Sequence, residues 1–207
     1  TPKWHEHDGG RYIGTGDMVI IKDPDSGWIN VGTYRSCVVA KDRVTLWIIE
    51  HKHGKQLARR YWNAGRPCPV AIVLGCEPAT WLAAPSAAKS GVSEYEYAGA
   101  LRGAPLEVIR APFTGLPIPA TAEIVIEGEM PSPEEESHAE GPFGEWPGYY
   151  THSGDECVVR VKRILYRNDP ILLGNPPLLP ITERYGIPLY AARIWDHLEQ
   201  SGISDVQ

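Results

Sequence analysis

Two glutamates frame a turn rich in glycine and proline in the stretch AEGPFGEWPGYY, residues 139–150. Glu140 and Glu145 are separated by Gly-Pro-Phe-Gly. Three aromatic residues follow the second glutamate, namely Trp146, Tyr149 and Tyr150. A solvated acidic loop needs no aromatic neighbours, and a hydrophobic core does not accommodate two carboxylates. The combination predicts carboxylates held in a partly dry pocket, where burial and nearby charges tune a carboxyl group for acid–base chemistry.

Two further polar residues lie upstream of the glutamates. The asparagine could supply an oxygen ligand, and the arginine could supply several hydrogen-bond donors. The segment GWINVGTYR, residues 27–35, places Asn30 and Arg35 after a predicted turn and before a predicted strand. The guanidinium of Arg35 can hold a carboxylate through two parallel hydrogen bonds. An isolated arginine is more often a surface residue, so Arg35 carries weight only in combination with the two glutamates.

Three further polar residues can each be interpreted in two ways. In IIEHKHGKQ, residues 48–56, His51 and His53 follow an apolar strand, either as metal ligands or as polar residues at a strand end. Glu94 begins a predicted helix, where the helix dipole alone would stabilise an acidic side chain. The structural interpretation is the more common one in each case. The residues alone thus indicate a pocket with two carboxylates, an arginine and a candidate metal site of oxygen and nitrogen ligands.

The composition is that of a globular protein. The chain has 207 residues, 43% of them hydrophobic, and a net charge of −6, which predicts one large domain or one domain with an appendage. No basic face indicates nucleic acid, no apolar run predicts a membrane-spanning helix, and the first residues do not resemble a signal peptide. No initiator Met begins the sequence, which suggests a fragment or a processed piece. Four scattered cysteines predict reduced, mostly buried thiols in a cytoplasmic protein.

Apolar and alternating runs predict strands mixed with short helices. Strands are expected within 17–28, 36–49, 68–76, 122–130 and 157–167. Helices are expected within 53–67, 78–88, 94–103 and 189–202. The acidic segment 129–141 is expected to be a loop with solvated glutamates at 134, 135 and 136. The pattern predicts an α+β domain built on a β-barrel or a strongly bent sheet, with a C-terminal helix.

Seven segments together resemble the UbiD-type decarboxylases, which use prenylated flavin mononucleotide (prenylated FMN). In chain order they are HEHDGGRYIGTGD, WINVGTYR, HKHGKQ, GVSEYEYAGALRG, PATAEIVIEGEM, EGPFGEWPGYY and YRNDPIL. The pair EGPFGE and GVSEYEYAGAL is the most specific part. The resemblance implies a split β-barrel like that of flavin reductases over residues 1–180, with interspersed helices. Residues 181–207 would be a linker and helix leading to a C-terminal domain that this chain does not contain.

The resemblance also implies catalytic roles. Arg35 matches the family's catalytic arginine and would orient the substrate carboxylate. Glu145 would donate the proton that replaces CO2, and Glu140 would hold Arg35. The Gly-Pro-Phe-Gly turn would set the two carboxylates on either side of the arginine, while the aromatic rings after it keep water away.

A metal and a flavin are implied at a second group of residues. Asn30, His53 and Glu94 match the ligands of a divalent metal, Mn or Mg, that bridges the protein to the flavin phosphate. Hard oxygen ligands and one imidazole suit either ion, and potassium is a further implied ion. The complete implied cofactor site is Asn30, Thr33, Tyr34, Arg35, Lys52, His53 and Glu94.

The implied function is non-oxidative, reversible decarboxylation of aromatic, heteroaromatic or α,β-unsaturated acids. The implied partners are the acid substrate, a flavin prenyltransferase that supplies the cofactor, and further copies of the chain in a homo-oligomer. Two alternatives are a flavin-binding redox module on the same barrel and a catalytically incomplete fragment. The arginine with its two glutamates favours the decarboxylase over the redox module, because flavin reduction needs no carboxylate clamp.

Overall fold

The computed structural model describes residues 3–86, 88–177 and 187–203, and this part of the chain forms eleven strands and four helices. The strands are β1 (Arg11–Gly14), β2 (Asp17–Lys22), β3 (Ile29–Gly32), β4 (Arg35–Ala40), β5 (Arg43–Trp47), β6 (Cys68–Leu74), β7 (Val108–Arg110), β8 (Pro117–Pro119), β9 (Ile124–Met130), β10 (Ser137–Glu140) and β11 (Gly154–Tyr166). The helices are α1 (His53–Asn63), α2 (Pro78–Ala83), α3 (Glu94–Arg102) and α4 (Ile187–Gln200).

Nine strands form one curled sheet. Its order is β1-β4-β5-β11-β9-β6-β2-β3, with β10 paired to β11, while β7 and β8 form a separate hairpin. The hydroxyl of Ser36 in β4 donates a hydrogen bond of 2.6 Å to Asp17 in β2. Strand β4 is second from one end of the strand order, and β2 is second from the other end. A hydrogen bond between them therefore requires the sheet to curl until its two ends meet. The curled, mostly β architecture confirms the predicted barrel class.

The central strand β6 is buried on both faces, which explains its uninterrupted apolar sequence. Cys68, Val70 and Ile72 contribute to one hydrophobic cluster, and Ala71 and Val73 contribute to the other. Successive residues of a strand point to opposite faces, so both faces of β6 must be apolar when both are covered.

Helix α1 covers the first cluster and brings its N-terminus to the edge of the sheet. Its buried residues Leu57, Ala58 and Tyr61 recur at helical spacing along one face. The helix ends at Asn63, and Gly65 follows with a φ of 67°, a left-handed conformation that glycine adopts without steric cost. The first residue of the helix is His53, so the packing of α1 on the hydrophobic cluster fixes the position of His53 at the edge of the sheet.

The structure confirms the longer predicted elements and corrects several short ones. Strands β2, β4, β5, β6, β9 and β11 and all four helices lie where they were expected. Most are shorter than predicted, but β11 begins at Gly154 and α4 at Ile187, both before the predicted start. Asn30 was expected in a connection before a strand but lies inside β3. The expected acidic loop 129–141 contains the end of β9 and all of β10. Short strands that contain glycine or polar residues depend on a partner strand, which local sequence does not reveal.

Glu136 is a second correction, because it is half-buried rather than solvated. Its carboxylate accepts a hydrogen bond of 2.6 Å from Arg43 and another from Arg160. These two arginines are directly opposite each other on β5 and β11. Two adjacent cations on one sheet face attract the nearest carboxylate, and their hydrogen bonds hold the pKa of Glu136 below its usual value although burial opposes them.

The prediction of free, mostly buried cysteines is confirmed, since Cys37, Cys68 and Cys157 are buried, Cys76 is half-buried and all four are free. None of the helices among the described residues is long and apolar enough to cross a membrane. Most of the predicted linker after residue 180 lies outside the described residues. The division at residues 180 and 181 therefore stays a prediction.

Candidate active site

Arg35, the first residue of β4, lies at the centre of a buried ion pair. Its Nε and Nη2 atoms donate hydrogen bonds of 2.8 and 2.6 Å to the two carboxylate oxygens of Glu140. Its guanidinium carbon lies 4.6 Å from the ring centroid of Trp47 and 4.8 Å from that of Phe143. Only 8% of Arg35 and 3% of Glu140 are exposed. The arginine is thus fixed in orientation by a bidentate carboxylate and two aromatic faces.

Glu145 reaches the opposite side of the same guanidinium. Its Oε1 accepts a hydrogen bond of 3.4 Å from Nη1 of Arg35, and 24% of its side chain is exposed. Glu140 ends β10, whereas Glu145 follows the turn that contains the cis Gly141–Pro142 peptide bond. The structure therefore brings together the three residues to which catalytic roles were assigned, with one glutamate rigid and buried and the other partly open to solvent.

A cavity of about 310 Å³ opens beside this group. Its lining includes Arg35, Trp47, Phe143, Glu145 and Trp146. The expectation that the three aromatic residues after the turn exclude water is wrong for all of them. Trp146, Tyr149 and Tyr150 are 43%, 58% and 38% exposed, because they lie on a surface loop beyond Glu145. The buried faces of Trp47 and Phe143 instead shield the arginine.

The predicted metal ligands line a second cavity of about 530 Å³. Asn30 comes from β3, His53 begins α1 and Glu94 begins α3. Glu94 is 4% exposed and accepts a hydrogen bond of 2.7 Å from the main-chain N–H of Val31. Burial raises the pKa of Glu94 to about 7, and the bond from Val31 opposes the shift. The helix dipole alone does not explain this carboxylate, since it points into the protein beneath β3.

Asn30 and His53 have distinct environments in this cavity. Asn30 is 2% exposed, and its side-chain amide lies beside the Tyr34 hydroxyl, where it opposes the rise of the Tyr34 pKa that burial causes. The ring of His53 meets the ring of Trp28 edge to face at 5.1 Å. His51 is exposed and lines the same cavity. The part of the chain that the structure describes contains no cluster of three or more His, Cys, Asp or Glu side chains suited to a metal, so any ion here needs the asparagine or a further ligand.

Three other predicted cofactor contacts join the two cavities. Thr33, Tyr34 and Lys52 line both of them. The hydroxyl of Tyr34 accepts a hydrogen bond of 3.3 Å from the main-chain N–H of Gly54, and burial raises the pKa of Tyr34 to about 12. A side chain at Gly54 would collide with the Tyr34 ring. The glycine in the HKHGKQ segment thus lets α1 start directly against the cavity.

Sequence reasoning missed two buried polar residues beside the site. Asp17 is 1% exposed, lines the cavity next to Arg35, and has its pKa raised to about 7 by burial, against the hydrogen bond from Ser36. Tyr12 is fully buried with its ring 4.5 Å from that of Phe143. Burial and the adjacent Glu140 raise the pKa of Tyr12. An acidic residue directly before the apolar run MVII is the sequence signal that could have identified Asp17.

The chain belongs to the UbiD family. Residues 1–179 match the family model described as the 3-octaprenyl-4-hydroxybenzoate carboxy-lyase Rift-related domain. This match confirms the resemblance drawn from the seven sequence segments.

Particular relatives include decarboxylases. The chain is 34% identical to the pyrrole-2-carboxylic acid decarboxylase of Pseudomonas aeruginosa, with 91% of this chain and 41% of that protein covered. It is 36% identical to a phenolic acid decarboxylase of Bacillus subtilis, with 83% of this chain and 37% of that protein covered. The chain thus spans about two fifths of the length of these relatives.

Solved structures of UbiD-class enzymes share the fold. HmfF from Pelotomaculum thermopropionicum in complex with FMN is 33% identical and aligns with a TM-score of 0.85 over 95% of this chain and 43% of that chain. An evolved dimeric form of the same enzyme in complex with prenylated FMN is 35% identical, with a TM-score of 0.79 over 89% of this chain and 41% of that chain.

Proposed function

We propose that the full-length protein is a carboxy-lyase that uses prenylated FMN. Its substrates would be aromatic, heteroaromatic or α,β-unsaturated carboxylic acids, and the reaction would be reversible. The observation that carries this proposal is Arg35, which is buried between two glutamates at the wall of a cavity. The printed names of the relatives, a pyrrole-2-carboxylic acid decarboxylase and a phenolic acid decarboxylase, support the same class of chemistry.

The charges of the site explain how it would recognise an acid and deliver a proton. A guanidinium has five N–H donors, and the described contacts with Glu140 and Glu145 use three of them. A substrate carboxylate placed at the cavity side of Arg35 would be the third negative group around one positive charge. Glu145 holds Arg35 through one hydrogen bond of 3.4 Å, whereas Glu140 holds it through two shorter ones, so Glu145 would be the carboxyl group that carries the transferable proton.

Each residue then has one task in the reaction. Arg35 would orient the substrate carboxylate, and Glu140 would hold the arginine through its two hydrogen bonds. Glu145 would transfer its carboxyl proton to the carbon that loses CO2, and would take a proton from solvent before the next turnover. Prenylated FMN, when bound, supplies the electron sink for the pair that CO2 leaves behind.

Residues that line the second cavity would hold a divalent metal, which would supply positive charge for the cofactor phosphate. Glu94 would contribute a buried carboxylate oxygen, Asn30 an amide oxygen and His53 an imidazole nitrogen. Asn30 is buried at this cavity, where a side-chain amide oxygen is a suitable hard ligand. Mn and Mg accept such ligands together with phosphate oxygens. The N-terminus of α1 and the side chain of Lys52 lie at the same cavity and favour an anion there. Potassium stays a prediction.

The proposed setting of the enzyme follows from the same relatives. The chain would be the flavin-binding domain, residues 1–180, followed by a linker and helix, residues 181–207, that lead to a further domain. A flavin prenyltransferase would supply the cofactor. The dimeric form of HmfF supports homo-oligomerisation, and a cytoplasmic location stays a prediction.

The proposal is tested with the full-length protein coexpressed with a flavin prenyltransferase. Absorbance and mass spectra would show prenylated FMN, and pyrrole-2-carboxylate and phenolic acids would serve as first substrates. We expect CO2 release and incorporation of deuterium from D2O at the vacated carbon. Glu145→Gln should reduce turnover by at least about 10²-fold, the lower range for a general acid, with the flavin still bound. Glu136→Gln, outside the cavity, should retain turnover.

Two results would reject the proposal. Near-normal turnover of Glu145→Gln would remove that residue from the reaction. Flavin binding with reduction by a nicotinamide cofactor, but no CO2 release from any acid tested, would favour the redox module.

A further inference from the structure

The segment before β1 is bonded to the turn that carries Glu145. Asp8 is 2% exposed, and its carboxylate accepts three main-chain hydrogen bonds. Its Oδ2 atom receives the N–H groups of Trp4 at 3.0 Å and His5 at 2.9 Å. Its Oδ1 atom receives the N–H of Gly144 at 2.8 Å. One buried carboxylate thus joins two segments that are 136 positions apart in sequence.

Close approach of the two segments depends on glycines in both. The N–H of Gly9 donates a hydrogen bond of 2.7 Å to the carbonyl of Pro142. A side chain at Gly9 would collide with the main chain of Gly141, and a side chain at Gly144 would collide with the ring of His5. The segment that contains Asp8-Gly9-Gly10 therefore packs closely against the Gly-Pro-Phe-Gly turn, because neither segment has a side chain at these contact points.

Glu145 needs such support more than Glu140 does. Glu140 lies in a strand and forms two short hydrogen bonds with Arg35. Glu145 lies in a loop, and its bond to Arg35 is 3.4 Å long. Where its carboxyl group lies is consequently determined in large part by the backbone of the turn, and the residue immediately before it is the one that Asp8 holds.

We propose that Asp8 is a positioning residue for Glu145. The carboxylate of Asp8 fixes the peptide group of Gly144 and thereby keeps the carboxyl group of Glu145 beside Arg35 at the cavity wall, from where it would reach the carbon that loses CO2. The inference rests on the proposed function, because it assigns Asp8 a part in the same proton transfer. Asp8 itself touches neither the cavity lining nor Arg35 in the described contacts.

The test is Asp8→Asn in the full-length protein loaded with prenylated FMN. The amide can still accept from Gly144, but its NH2 group then faces the N–H donors of Trp4 and His5. We expect kcat to fall roughly 10- to 100-fold, the range for a displacement of about 1 Å of a catalytic group. Because Arg35 is untouched, KM and flavin content should stay unchanged. The solvent deuterium isotope effect on kcat should increase, since proton transfer becomes the slow step.

A matched control is Glu127→Gln. Glu127 is fully buried and accepts main-chain hydrogen bonds from Phe113 and Thr114 at 3.1 and 2.8 Å, but it lies on β9, outside both cavities. This change should lower the melting temperature and leave kcat and its isotope effect as in the wild type.

A double variant separates positioning from general loosening of the protein. If Asp8 acts through Glu145, adding Asp8→Asn to Glu145→Gln should reduce kcat no further. If both single changes multiply, the inference is wrong. If Asp8→Asn is unfolded, Asp8→Ser is measured instead, because it removes the carboxylate without facing two donors with an NH2 group. Failure of both variants to fold would assign Asp8 to folding alone and overturn the inference.

The outcomes also distinguish the inference from the proposed function. Loss of turnover in Glu145→Gln with normal turnover in a folded Asp8→Asn protein would reject only the role of Asp8. Normal turnover in Glu145→Gln would reject the proposed role of Glu145 and the inference together.

Discussion

Replacing Asp17 by asparagine should stabilise the protein near pH 8, although it removes a buried hydrogen-bonded charge. Asp17 is 1% exposed, and burial raises its pKa from 3.8 to about 7 despite the hydrogen bond from Ser36. Above pH 7 the folded protein must hold an ionised carboxylate in this buried place, whereas the unfolded chain ionises it in water. Asparagine has the same shape, still accepts from Ser36 and cannot ionise.

The direction and size of the effect follow from the difference between the folded and unfolded pKa. Below about pH 4 Asp17 is protonated in both states and the penalty is absent, and above about pH 7 it is ionised in both and the penalty is complete. Stability therefore decreases as pH rises through this window, because the folded state binds more protons than the unfolded state. A difference of about three pKa units corresponds to about 4 kcal/mol at about 1.4 kcal/mol per unit.

Urea denaturation of the metal-free protein between about pH 5 and about pH 8 measures this effect. The free energy of unfolding of Asp17→Asn should exceed that of the wild type at the upper pH, and the difference should shrink toward the lower pH. The pKa of Glu94 is also raised to about 7, so Glu94 adds a similar decrease of the unfolding free energy with pH. This contribution is the same in the wild type and in Asp17→Asn and cancels in the difference.

Asp23→Asn is a matched control with the opposite sign. Asp23 is 3% exposed, and although burial would raise its pKa, hydrogen bonds from Ser26, Asp25 and Arg60 lower it. Its replacement should destabilise the protein at neutral pH. Equal slopes in wild type and Asp17→Asn, or destabilisation by Asp17→Asn at about pH 8, would show that Asp17 is ionised in the folded state without cost.

Three further predictions concern the ion pair, the metal and assembly. Glu140→Gln should cost about 1.5–3 kcal/mol in unfolding free energy, since one charge-assisted bond to buried Arg35 is lost; an unchanged urea midpoint would contradict this. His53→Ala should lower metal and flavin content together, measured by elemental analysis and absorbance, and full flavin occupancy after removal of all three ligands would exclude the site. Because Ile194 and Trp195 on α4 are 60% and 50% exposed, the 207-residue chain should self-associate, and a monomer at high concentration in sedimentation would contradict that.

The longer elements could be predicted because their residues carry the signal locally. The apolar run of β6 and the helical spacing of Leu57 and Tyr61 in α1 each identify an element without reference to the rest of the chain. The family was also within reach of the sequence, because motifs such as EGPFGE are contiguous. Short strands such as β3 and β10 were missed, because each has only four residues and contains glycine or polar residues, so its own sequence carries a weak strand signal. Each forms by pairing with the neighbouring strand of the chain, β2 or β11.

For the candidate site too, the sequence predicted some features and could not predict others. Residue types indicated a pocket with two carboxylates and an arginine, and the resemblance to the family implied that Arg35, Glu140 and Glu145 belong together. Sequence could not show which glutamate is buried, and it wrongly gave the exposed Trp146 a shielding role that the faces of Trp47 and Phe143 perform. Burial depends on which surfaces the curled sheet brings together.

The sequence by itself determined the fold class, the family and the candidate chemical groups, because composition, periodicity and contiguous motifs are local properties. Only the tertiary structure decided the environment of each group. Asp17 meets Ser36 because the two ends of the sheet curl together, and Asp8 meets Gly144 because the first segment lies against a turn 136 positions later. Contacts of this kind depend on desolvation and distance in three dimensions, and neither quantity can be read from residue order.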